Sequence, residues 1–160
     1  MSLSHDRNIP TYLLRWLVLF PAVAVMYLLA WGVPTVIGIP FLQREIIADS
    51  PGTYEITSHF LWDWIVHPLA LLSIGAIAAE ASIKAAHFVA PLHKLQAMRI
   101  ISGMLVLLAL VNVAMFFGVS PSQPLSAAVK CLSYNISLGV CSVYFVLSGQ
   151  SKKSNEPNAA

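Results

Sequence analysis

Between Arg15 and Arg44 the chain carries no charged residue. Two further charge-free runs follow, Ile100 to Val129 and Cys131 to Ser151, and a shorter one, Trp64 to Ala79, lies between Asp63 and Glu80. A helix needs about 20 apolar residues to cross the ~30 Å hydrocarbon core of a bilayer. The three long runs meet that length. The short one meets it only if Asp63 and Glu80 sit near opposite interfaces. The spacing therefore predicts four transmembrane helices, at about 11–33, 60–83, 98–119 and 125–148. The Pro34…Pro40 stretch reads as a turn after the first, Phe41 to Ala48 as a short interfacial helix, and Thr57 or Ser58 as an N-cap of the second.

Composition supports this reading. Of 160 residues 58% are hydrophobic and only 10% charged, against about 25% charged in an average soluble domain. So few charges cannot cover a water-facing surface of this size. That argues against a soluble enzyme, a disordered chain and a basic nucleic-acid binder, and no nucleic-acid partner is expected. Long continuous apolar runs also favour helices over the short alternating strands of a barrel. The first run is too long for the apolar core of a cleaved signal peptide. The expected fold is an all-α membrane protein: an antiparallel four-helix transmembrane bundle over residues 1–148, with 149–160 as a disordered polar tail.

Lysine and arginine orient it. Arg7, Arg15, Lys84, Lys94, Arg99, Lys152 and Lys153 fall on one side of a four-span topology, and only Arg44 and Lys130 on the other. That asymmetry predicts that both termini are cytoplasmic. Trp16, Trp31, Trp62 and Trp64 sit where interfacial aromatic belts are expected. The anticipated location is a plasma membrane, the inner membrane in a bacterium. The outer connection 41–58 is net acidic, and its Arg44, Glu45, Asp49, Tyr54 and Glu55 form the expected partner-binding loop.

Few side chains within the spans carry chemistry. His59, Asp63 and His67 follow one another at i, i+4, i+8, a single helical stripe. Two turns, ~12 Å, separate the two histidines, so one ion cannot take both. No metal site is expected, but His67 is a candidate haem ligand because ionisable groups at membrane depth are costly and often functional. Lys130 lies near the outer end of the fourth span at a depth similar to that of Asp63. The two are candidates for an interhelical pair. Asn112 and Asn135 are candidates for interhelical glue. Ser133 and Ser137 belong to a seam of small or polar residues in the fourth span (Ser126, Lys130, Ser133, Ser137, Cys141, Tyr144, Ser148) that reads as a packing face. Glu80 and Lys84 form a favourable i, i+4 pair at the inner end of the second span. Cys131 and Cys141 are ~15 Å apart on one helix and cannot bridge each other. Walker A, GxSxG, HExxH, GxGxxG and CxxC signatures are all missing, so no catalytic residues are expected.

These observations favour a small non-catalytic membrane protein that binds a protein partner, or itself as a homo-oligomer, with the lipid bilayer as its other contact. It would be an accessory subunit of a membrane complex or a protector of the immunity type. The four-span plan with termini inside and an acidic outer loop is similar to the layout of immunity proteins against pore-forming bacteriocins, a likeness of layout without a shared motif. Two alternatives are a redox subunit that binds haem or a quinone through His67, and a small transporter or channel component lined by Asp63, His67, Asn112, Lys130 and Asn135.

Overall fold

The computed structural model describes residues 9–48, 59–90, 94–119 and 123–154, and every element among them is helical. Helix α1 (Ile9–Val33) passes through a π-helical turn, Pro34–Gly38, into α2 (Ile39–Ala48). A second π turn, Trp62–Val66, leads into α3 (His67–Val89), followed by α4 (Lys94–Val119) and α5 (Leu125–Ser154). Four stretches are long and apolar enough to span a membrane: Trp16–Arg44, His59–Val89, Lys94–Val119 and Leu125–Ser148. The protein is thus a multi-pass membrane protein of four helices, arranged antiparallel as anticipated. One end of the bundle carries Ile9, Ala90, Lys94 and Ser154. We call this the terminal end and the other the loop end.

Three boundaries differ from expectation. The Pro34…Pro40 stretch does not turn the chain, and Phe41 to Ala48 is not a separate interfacial helix; both continue the first helix. Proline removes a backbone N–H and crowds the preceding turn. Here the Ile39 N–H reaches back to the Pro34 carbonyl, one residue further than in an α-helix, which makes room for the rings. The Thr35 hydroxyl donates to the Trp31 carbonyl at 2.6 Å. Prolines are tolerated in membrane helices through such π adjustments and hydroxyl bonds. The second π turn has the same logic: the His67 N–H bonds to the Trp62 carbonyl, immediately before Pro68. Lastly, α5 runs to Ser154 rather than ending near 148. The expected N-caps, Thr57 and Ser58, lie outside the described residues, as do 155–160 of the tail.

The second and fourth spans form the central pair, with the broadest contact in the molecule. The third packs mainly on the fourth, and the first almost wholly on the second. Towards the terminal end the core is built from small side chains, with Ala78, Ala79, Ala86 and Ala97 fully buried beside Ser82 and Ser142. Small residues let membrane helices approach until their backbones touch. Gly75 marks the closest point: its backbone lies against Tyr134 and Leu138 of the fourth span. Large apolar side chains such as Leu17, Phe88, Leu110 and Val140 are exposed, as lipid contact demands.

Candidate functional site

The loop-end half of the bundle interior gathers the polar side chains of the spans around α5. Lys130 enters near the start of α5 and Asp63 near the start of the second span, so antiparallel packing brings them to the same depth. The Lys130 ammonium donates to Asp63 Oδ1 at 2.5 Å. Lys130 is 21% and Asp63 43% exposed, so the pair is half-buried at the end of the bundle. One turn further in, the Asn112 amide donates to Asn135 Oδ1 at 3.4 Å, and the Asn135 amide donates to the Cys131 carbonyl at 2.8 Å. Asn135 is buried. A buried amide with its donors and acceptors matched rigidifies the packing around it and specifies one arrangement of the helices.

The cluster continues towards the terminal end. The hydroxyls of Tyr27 and Tyr134 meet at 2.7 Å, tying the first span to the fourth. Ser137 donates to the Leu72 carbonyl at 2.5 Å, and Ser102 to the Ser142 hydroxyl at 3.3 Å. Every other span is therefore hydrogen-bonded or ion-paired to α5. Of the residues singled out from sequence, Asp63, Lys130, Asn112, Asn135 and Ser137 make these interhelical contacts, whereas Ser133 is half-buried without a hydrogen bond among the described residues.

The small-residue seam anticipated on α5 faces the bundle except at Tyr144: Ser137 is buried, Ser126, Lys130, Ser133, Cys141 and Ser148 are half-buried, and Tyr144 is 63% exposed. The buried face also takes in Tyr134, Asn135, Leu138, Ser142 and Val146. Tyr27, Ser102, Tyr134 and Ser142 were not among the expected site residues. A pair of tyrosines at matched depth in two spans is the signal that finds the first bond; single serines carry no such signal. Trp62 also departs from the belt role. The π turn swings it inward to 3% exposure, with its ring tilted over His67 at 5.2 Å between centroids.

His67 stands apart from this network. Its Nδ1 is buried and has no hydrogen-bond partner. Among the described residues no group of three or more His, Cys, Asp and Glu side chains forms a metal-binding cluster. Both cysteines are free. Of the expected partner-binding loop, Arg44 is exposed on α2 and Glu45 lies on the same helix. Asp49, Tyr54 and Glu55 lie outside the described residues.

Three apolar grooves flank the bundle. One of about 460 Å³ lies between the third and fourth spans, floored by Ala109 and Gly139. One of about 610 Å³ separates the first from the third, with Tyr27 at its base. The last, about 580 Å³, lies between the first and second spans and is edged by Glu80 and Lys84. No known family, curated protein or solved structure matches the chain.

Proposed function

We propose that the protein is a non-catalytic binding protein of a plasma membrane, acting on another membrane protein as an accessory subunit or an immunity-type protector, with both termini cytoplasmic. One observation carries the reading. Most polar groups buried between the spans bond one another, as in the Asp63–Lys130, Asn112–Asn135 and Tyr27–Tyr134 contacts. Around them stands a largely apolar exterior of grooves and exposed side chains. Side chains that bind each other hold a scaffold, and a scaffold offers its surface. The helical extension of the first span supports the same view, because it carries the exposed Phe41, Leu42 and Arg44 beyond Pro34 on a continuous helix.

Purification from native membranes in mild detergent tests it. A protein companion is expected in stoichiometric amount, and replacing residues 41–58 by a neutral linker should release it. A chain that purifies alone, with an activity of its own, would sink the proposal.

The orphaned Nδ1 of His67 favours one second reading, a haem-binding subunit. The visible spectrum of the same preparation separates the two. The binding-protein reading expects no Soret band, whereas a band lost in His67→Ala would replace it with the haem reading.

A further inference from the structure

The groove between the first and second spans differs from the other two in having charge at its edge. Its wall is apolar, formed in part by Met26, Ile77 and Phe88, and Ala81 and Ala85 leave it hollow. At the edge, Lys84 and Glu80 are 2.5 Å apart and 67% and 40% exposed. The span containing them, His59–Val89, is centred on Ile74. At ~1.5 Å per residue Glu80 lies about 9 Å and Lys84 about 15 Å from that centre along the axis. The half-thickness of the hydrocarbon is about 15 Å. With the bilayer centred there, Lys84 stands where acyl chains give way to headgroups and Glu80 about 6 Å inside that boundary, paired to the Lys84 ammonium. Phe88, 80% exposed, extends the same face towards the terminal end.

We propose that this groove is a phospholipid site, and that its edge selects a headgroup carrying both a phosphate and a primary ammonium. An acyl chain lies along the inward part of the groove, over Ile77 and Met26. The lipid phosphate meets the Lys84 ammonium, and the lipid ammonium meets the Glu80 carboxylate, so four charges alternate in sign around the edge. A primary ammonium donates hydrogen bonds to Glu80, and a quaternary choline has no N–H to give. An anionic headgroup without an amine leaves Glu80 facing negative charge. The chemistry therefore points to phosphatidylethanolamine over phosphatidylcholine and phosphatidylglycerol, and it is independent of the protein partner proposed above.

The test uses the full chain, stripped of lipid in neutral detergent and titrated with each of the three phospholipids bearing identical acyl chains. Bound lipid is counted by native mass spectrometry. The hydrogen bond that only the primary ammonium can donate to half-exposed Glu80 is worth roughly a twofold to fivefold preference for phosphatidylethanolamine over phosphatidylcholine. Glu80→Ala, which removes the acceptor as well as the charge, should bring the ethanolamine and choline lipids level. Lys84→Ala should weaken retention of all three, since all carry the phosphate. Ala81→Phe, which fills the hollow without touching the charges, should also displace all three. Equal retention of the three lipids by the unmodified protein would reveal a lipid annulus and overturn the proposal. So would a preference that survives Glu80→Ala. Both charged side chains are exposed, so these variants keep the bundle intact, and their melting temperatures verify that.

Discussion

Gly75→Ala should destabilise the protein by roughly 1–3 kcal/mol, the range for forcing extra atoms into a packed core. On helix propensity alone the sign would be the opposite, because alanine is better than glycine within a helix by about 1 kcal/mol. The difference lies in what the new methyl group meets. A Cβ on Gly75 would stand 2.6 Å from the Tyr134 carbonyl oxygen and 3.1 Å from both the Leu138 nitrogen and the Ser137 Cβ. The first two are backbone atoms of α5 and cannot rotate away. The second and fourth spans must separate, and the bond from Ser137 to the Leu72 carbonyl stretches with them. Gly103→Ala is the matched control: nothing lies within 4 Å of a Cβ there. Unfolding midpoints in a denaturing-detergent titration should therefore fall for Gly75→Ala and stay level or rise for Gly103→Ala. A Gly75→Ala protein as stable as the parent would show that the central helix pair is looser than described.

Cutting the Asp63–Lys130 pair is expected to have the next largest effect. Removing one partner of a fully buried ion pair costs about 3–5 kcal/mol, because the other charge is left without compensation. Here the partners are 21% and 43% exposed, so water and headgroups screen the survivor. About 1–2 kcal/mol is expected for either Asp63→Ala or Lys130→Ala. The double variant should cost less than the sum, since it strands no charge. Additive losses in the thermal unfolding of the singles and the double would mean that the two side chains, though adjacent, do not act as a pair.

The pair also shows what kind of contact is legible in a membrane sequence. Asp63 and Lys130 are opposite charges near the starts of two spans that enter from the same end, so their meeting follows from topology without knowledge of the packing. Asn112 and Asn135 are nearly as legible, because a span has few amides and each needs a partner. Ser102 and Ser142 are not, since a serine can bond its own helix instead, as Ser82 does with the Ala78 carbonyl. Tyr144 falls off the packing face of α5 for a related reason: small and polar residues occur all around that helix, and their spacing alone does not say where the buried face ends. Pro34 and Pro40 misled because proline ends helices in water, where a freed carbonyl has solvent to turn to. In a bilayer it has none, and the chain keeps its helix by shifting the hydrogen-bond register at Pro34–Gly38.

Among the described residues the interhelical polar contacts named above converge on α5, and α5 is synthesised after the other three spans. Until it arrives, Asp63, Tyr27, Asn112 and Ser102 have entered the bilayer without the partners they hold in the finished protein, and the Leu72 carbonyl lacks its second donor. A nascent chain of three spans thus carries these polar groups in the bilayer without their partners. Arrival of the fourth span removes those exposed polar groups together, so the same bonds that hold the bundle also mark its completion.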